Sequence, residues 1–142
     1  MVNDMNGAND TKGRIYWLSA PSGSGKTPWL RRFVGENGRY LTDETLHSLL
    51  LAQAQGQREG ALAQALSVFP RVGLDDLDLL LTGRPAVEAA LRETLFTLAE
   101  AGVDTALSGI GLDRRLPAFR AVLAARLGDR FRVVAPEELK TI

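Results

Sequence analysis

The chain has 142 residues, no cysteine, a single histidine (His47), and 17 basic against 17 acidic side chains. Disulfides and thiolate metal sites are thereby excluded, a His-based metal centre is disfavoured, and no global positive field draws the protein onto nucleic acid. A hydrophobic content of 45% with 24% charged residues is ordinary for one globular domain with a real core, and no apolar run has bilayer-spanning length. With no signal-peptide pattern at the N-terminus, a cytoplasmic location is the default expectation.

Residues 1–13, MVNDMNGANDTKG, are rich in Asn, Asp and Gly and read as a flexible tail, leaving 14–142 as a single domain. RIYWLSA then predicts a buried strand that runs into a glycine-rich loop. TPWLRRFVGENG predicts a helix stopped by Gly35 to Gly38. RYLT reads as a short strand. DETLHSLLLAQAQG carries apolar residues at helical spacing behind Asp43, a plausible N-cap. EGALAQALSVF predicts a second short helix, and RVGLDDLDLLL a strand ending in paired aspartates. RPAVEAALRETLFTLAEAG is the clearest amphipathic helix, with Pro85 suited to its first turn and Gly102 to its stop. VDTALSG reads as a strand, RRLPAFRAVLAARLGD as a helix, and FRVVAP as a last strand before a short acidic-to-basic tail.

Strands alternating with helices predict an α/β fold, a parallel sheet covered by helices on both faces. Ligands of such sheets sit beyond the C-terminal ends of the strands. The loop after the first strand and Asp75 and Asp76 after the third both fall on that edge.

The loop itself, APSGSGKT, supplies the chemistry. A phosphate cradle needs small residues so that its backbone N–H groups can close around an anion, and Ser22, Gly23, Ser24 and Gly25 meet that need. Lys26 offers a point charge to the β- and γ-phosphates, and Thr27 a hydroxyl to Mg²⁺. The helix that follows aims its positive end at the same phosphates. Ala20 stands where such loops usually begin with Gly. Pro28 sits in the first helical turn, where its missing N–H leaves no intrahelical bond unmade. It also removes a donor from the ligand side. Ala20, Pro21, Ser22, Gly23, Ser24, Gly25, Lys26 and Thr27 are thus the candidate nucleotide-binding residues. In such a site the first acid, Asp75, holds the Mg²⁺ water shell together with Thr27. The second, Asp76, orients or deprotonates the attacking water.

The ordered combination of SGSGKT, LDDLDLLLTGRPAVEAALRETLFTLAEAG, RLGDRF and VVAPEEL resembles the AAA+ core of the bacterial replication initiator DnaA and its relatives such as Hda, over residues 14 to about 138. The resemblance implies a three-layer P-loop NTPase fold with a five-stranded parallel sheet, of AAA+ type without a lid domain. It implies ATP or ADP with Mg²⁺ as cofactors. It makes Asp75 and Asp76 the Walker B pair and Ser108 the first sensor near the γ-phosphate. Arg130, with Arg126 as its companion, becomes the arginine finger that serves a neighbouring subunit's nucleotide. The family has Ser where this chain has Asp129, which is placed to pair with Arg130 or Arg126. Gly109 and Ile110 stand where the family sensor strand continues into polar residues. The sequence stops after the last strand, so a nucleotide is expected to be open on two sides, bound weakly and turned over slowly.

The implied role is a DnaA-like ATPase acting in replication initiation or its regulation. It would work through an AAA+ partner, or through self-association by its Arg130 and phosphate-loop faces. The first alternative is a non-hydrolysing P-loop docking module. A small phosphoryl-transfer kinase, with QAQGQREG as its lid and Arg58 as its arginine, ranks below both. Direct DNA binding is not expected. RRLPAFR and the Arg31–Arg32 pair are basic, yet no aromatic-interleaved basic stripe or recognition helix accompanies them.

Overall fold

The computed structural model describes residues 12–140. The expected N-terminal tail lies, through residue 11, outside the described residues. Lys12 and Gly13, its last two positions, run along the protein. The Gly13 N–H donates to the Ala99 carbonyl (2.7 Å), and Lys12 pairs with Glu100 at 2.9 Å.

Five strands form one sheet: β1 (Ile15–Ser19), β2 (Arg39–Leu41), β3 (Arg71–Leu74), β4 (Asp104–Gly109) and β5 (Phe131–Val133). All neighbours are parallel, in the order β2-β3-β4-β1-β5. Strand β4 therefore separates β1 from β3. Register places Leu18 beside Ser108 and Leu74 beside Leu107, so the chain segments leaving β1, β4 and β3 emerge together at one edge.

The helices are α1 (Lys26–Val34), α2 (Asp43–Gln55), α3 (Ala61–Leu66), α4 (Leu77–Leu81), α5 (Pro85–Glu100), α6 (Leu112–Arg115) and α7 (Pro117–Leu127). Short 3₁₀ turns follow at Gly128–Arg130 and Pro136–Lys140. Three boundaries differ from those the sequence predicts. The cap of α2 is Thr42, whose hydroxyl accepts the Thr45 N–H, and Asp43 is the first helical residue. LDLLL is a helix rather than strand or loop, because four of its five side chains are buried against the core. RRLPAFRAVLAARLGD is two helices, because Pro117 disfavours helical geometry at Leu116, which joins α6 to α7.

The two faces of the sheet are covered unequally. Ile15, Trp17, Val72, Leu74 and Leu107 join the apolar sides of α2 to α7 in one large core. Trp17 is fully buried, and Asp113 accepts its indole N–H at 2.7 Å. Leu18, Ala20 and Ala106 meet only Leu30 of α1 together with Val134 and Leu139, fringed by Tyr16, Trp29, Phe33 and Tyr40. The seat of α1 on this second face is Gly73. A Cβ there would lie 3.0 Å from Val34 Cγ1 and 3.5 Å from Leu30 Cδ2, so the bare backbone is what lets the helix lie close.

One buried polar atom is left over among the described residues. Thr105 is in the large core, and its hydroxyl has no hydrogen-bond partner. A buried unsatisfied hydroxyl costs about 1–3 kcal/mol, and Val has nearly the same shape. Thr105→Val should therefore raise unfolding stability by about 1 kcal/mol, read as a higher urea midpoint at constant slope.

Candidate functional site

Strand β1 ends at Ser19. Ala20, buried, continues the ladder by donating its N–H to the Gly109 carbonyl (3.3 Å), and the chain then turns through 21–25 into α1. Gly25 closes the turn at φ 99°, a left-handed value that glycine adopts freely, and it abuts the backbone of Leu139. The loop is tied internally. Both the Ser24 hydroxyl (2.6 Å) and the Lys26 ammonium (2.8 Å) donate to the Pro21 carbonyl. Lys26 is only 6% exposed, and its ammonium is held at the loop by that carbonyl. A cavity of ≈ 240 Å³ opens here. Ser22, Gly23, Gly25, Lys26, Thr27 and Pro28 form one wall, and Asp76 and Ile110 face them.

Asp75 is the hub behind that cavity, buried to 1% exposure. Oδ2 accepts the hydroxyls of Thr27 (2.7 Å) and Tyr40 (2.5 Å), and Oδ1 accepts a short bond from Ser108. Burial alone would push the Asp75 pKa up. The bonds from Ser108, Tyr40 and Thr27, with the Asp76 backbone, outweigh it and hold the carboxyl below the usual aspartate value. Tyr40 responds in the opposite sense. Burial first, then its bond to Asp75, pushes its phenol up to about 12, so it remains a donor at any ordinary pH. The ring also lies under Arg31, whose guanidinium carbon is 4.2 Å from its centroid.

Asp76 sits at φ 60°, ψ 42°, a left-handed conformation that Asp and Asn tolerate better than other non-glycine residues. The turn swings its side chain away from Asp75 and into the cavity wall. Its N–H donates to the Ser108 hydroxyl at 3.2 Å. Burial, then repulsion from Asp75, Asp43 and Asp78, raises its pKa, and Lys26 partly offsets this.

The predicted residues therefore fall into two groups. The phosphate loop, Asp75 and Asp76 converge at the C-terminal edge of the sheet. Ser108 is there too, fully buried, with its hydroxyl spent on Asp75 and the Asp76 N–H; on the β4 side it is Ile110 that lines the cavity. Arg130 and Arg126 lie elsewhere. Arg130 precedes β5, at the strands' N-terminal edge and so about 17 Å of strand away, where it donates to the Gly13 carbonyl (3.2 Å) and faces Glu100 (3.8 Å). Arg126 stacks on Phe96, 4.4 Å from ring centroid to guanidinium carbon. The expected pairing with Asp129 is not made: Glu100 and Phe96 take those positions, because both arginines turn toward α5.

Two site residues, Tyr40 and Asp78, go unannounced by the sequence, and a third, Ile110, is marked there only as a departure from the family pattern. Tyr40 arrives from β2, with no motif to mark it. Asp78 is buried in α4 and accepts the Ile110 N–H at 3.0 Å, fixing the turn after β4. Ile110 presents an apolar wall. Oxygen donors that could hold a hard cation are Thr27 and Asp75, with Asp76 opposite. Among the described residues no cluster of three or more His, Cys, Asp or Glu could hold a metal by itself. A divalent ion here would have to arrive with phosphate oxygens, as Mg²⁺ usually does.

The five-stranded parallel sheet and its strand order are those of the α/β fold that P-loop NTPases of AAA+ type share. Solved structures agree with it: a DNA replication initiation factor (TM-score 0.66, 14% identity, 93% of this chain and 43% of that one); domain III of DnaA from Thermotoga maritima (0.65, 17%, 93% and 60%); and AMPPCP-bound DnaA from Aquifex aeolicus (0.62, 15%, 87% and 40%). The chain spans 40% to 60% of the length of these structures. No protein-family model matches the sequence, and no curated protein matches it. The similarity is one of fold, that of AAA+ proteins of DNA replication. Among the described residues no helix is long and apolar enough to cross a membrane.

Two outcomes follow from the carboxylates. Tyr40→Phe removes a hydrogen bond to a charged acceptor and should cost about 1.5–3 kcal/mol of stability at neutral pH. Because Asp75 has a depressed folded pKa, its bonds stabilise the fold above the ordinary aspartate range and fade as pH falls through that folded value. The difference between Tyr40→Phe and wild type in denaturant melts should shrink with it. Asp76→Asn relieves repulsion at a left-handed position that Asn tolerates, and should stabilise the protein by about 0.5–2 kcal/mol at pH 7. Asp76 has a raised pKa, so its penalty is full above the folded value and absent below the unfolded one. The gain should disappear in melts below about pH 4.

Proposed function

We propose that this protein binds ATP or ADP with Mg²⁺ in the cavity at Lys26, hydrolyses ATP weakly or slowly, and acts in DNA replication initiation or its regulation. The observation that carries the reading is the 2.7 Å bond from Thr27 to Asp75. It joins the phosphate loop to the acid of a different strand, the pairing needed to hold a divalent cation against phosphate oxygens. Lys26 would bind the outer phosphates, Thr27 and Asp75 the magnesium and its waters, and Asp76 would orient the attacking water. Magnesium, when bound, would offset the charge that gathers on the phosphate oxygens. Ser108 and Tyr40 keep Asp75 ionised and aimed.

Arg130 is too far from the cavity of its own chain to serve it. A head-to-tail neighbour would bring it to another subunit's nucleotide, once it had left Glu100 and Gly13. The partner surface is thus either an AAA+ protein or a second copy of this chain. The docking-module alternative rests on Ile110, which puts an apolar side chain on the cavity wall where a polar group would help chemistry. The kinase reading loses its lid. Arg58 lies in the turn between α2 and α3, and the adjoining Glu59 and Gly60 line a separate depression against α5.

Calorimetric titration of ATP and ADP with Mg²⁺ into wild type and Lys26→Ala tests the reading. Binding tighter than roughly 100 μM, about −5.5 kcal/mol, that vanishes in the variant is the expected result. Phosphate release by wild type, abolished in Asp76→Asn, separates the ATPase from the docking module. Absence of nucleotide binding by wild type would overturn the proposal.

A further inference from the structure

The turn that follows β4 gathers two positive charges and gives them no partner. Gly111 opens it at φ 66°, and the backbone N–H groups of Arg114 and Arg115 both donate to the Gly111 carbonyl, at 3.1 and 2.9 Å. Residues three and four places further along a helical turn share a face with the residue they bond back to. Both side chains accordingly fold over Gly111. A Cβ there would meet Arg114 Nη2 at 3.3 Å and Arg115 Nε at 3.8 Å, so the missing side chain keeps the space between the two guanidinium groups open. Arg92, Arg120, Arg130 and Arg132 each face a carboxylate. Arg114 and Arg115, both exposed, face none among the described residues. Asp113, the acid beside them in the chain, is engaged elsewhere: its Oδ1 accepts the Trp17 indole N–H and the Arg120 guanidinium. Asp78, which reaches the same turn from α4, is buried and holds the Ile110 N–H. Two like charges folded over one bare backbone position repel each other unless an anion lies between them.

We infer that Arg114 and Arg115 form a second anion site, for a phosphate group, at the rim of the cavity at Lys26. Gly111 is joined directly to Ile110, which lines that cavity, so the two sites are neighbours at the C-terminal edge of the sheet. The donors are the two guanidinium forks, and the four-residue α6 contributes only their spacing. Such forks take phosphate oxygens two at a time. Two of them match the double charge of a phosphate dianion, where a carboxylate would leave one charge over. The phosphate is either the terminal group of a nucleotide seated in the loop or a free phosphate ion. In the first case the pair supplies, within one chain, positive charge that Arg130 can bring only from a neighbour. The site itself does not depend on the nucleotide reading.

The test follows the arginine Nε–H resonances of the ¹⁵N-labelled full chain during titration with sodium phosphate, with sodium acetate and sodium chloride at matched ionic strength as controls. The expected result is that Arg114 and Arg115 shift together with phosphate alone, while the exposed Arg39 does not move. In Arg114→Gln, shown by circular dichroism to be folded, the Arg115 signal should need at least about tenfold more phosphate. No shift, an equal shift with acetate or chloride, or an unchanged titration in Arg114→Gln overturns the inference. Half-saturation only above roughly 10 mM means an adventitious ion only and overturns it as well. Mg²⁺ with AMPPCP, added to wild type and Lys26→Ala, separates the sources. Arginine shifts seen in wild type and lost in Lys26→Ala assign the site to the end of the nucleotide. Shifts of the loop amides with the arginines unmoved assign it to free phosphate. If the loop amides do not respond to nucleotide at all, the nucleotide reading falls, and the phosphate titration still decides this inference.

Discussion

A carboxylate sealed from water must be surrounded by donors or give up its charge, and Asp75 is surrounded. Its donors come from separate parts of the chain: Thr27 from the start of α1, Tyr40 from β2 and Ser108 from β4. Each bond is local chemistry, but together they fasten a helix and two neighbouring strands to the end of β3. Removing the carboxylate would leave three hydroxyls without their acceptor, Ser108 fully buried and Thr27 and Tyr40 partly so, and the network is coupled through that one group. The position of the phosphate loop relative to the acids is set by this node and by the core packing beneath α1.

Strand order makes the node achievable. With β4 lying between β1 and β3, the loop and the acid pair flank a common neighbour, and Ser108 fills the space between them. Beyond β4, Asp78 reaches from α4 to hold the Ile110 N–H, which sets the far wall of the cavity. The same parallel arrangement sends Arg130 to the other edge of the sheet, where Gly13 and Glu100 hold it. The glycine-rich loop and Arg130 thus lie at opposite edges of one sheet, and a contact that joined the two faces between copies would be head-to-tail rather than two-fold.

Much of this was legible in the sequence because it is written in local pattern. SGSGKT between a strand and a helix, paired aspartates behind an apolar strand, and the period of α5 each carry their meaning within a few residues. Three kinds of feature were not legible. Tyr40 acquires its role only through the pairing of β2 with β3, which no short window reveals. LDLLL is too brief and too apolar for periodicity to distinguish helix from strand, and burial decides it. The aromatic and arginine contacts around α1, such as Arg71 over Phe33 and Tyr16 edge-on to Phe33, join separate elements of the chain. The expected Asp129 pairing failed for a related reason. Sequence proximity favoured it, yet α5 brings Glu100 and Phe96 to the arginines instead.

The absent side chain at Gly73 reaches further than its size. It sits in β3, between β2 and β4, and faces Val34 and Leu30 on the apolar side of α1. Yet α1 carries Lys26 and Thr27 at its tip. A methyl group at position 73 would press on Val34 Cγ1, and either that side chain gives by a few tenths of an ångström or the helix that carries those two residues does. The shape of this cavity is therefore constrained from below as well as from within. A substitution that alters no atom of the cavity wall could shift Lys26 and Thr27, and trimming Val34 or Leu30 on the opposite side of the same contact could restore them.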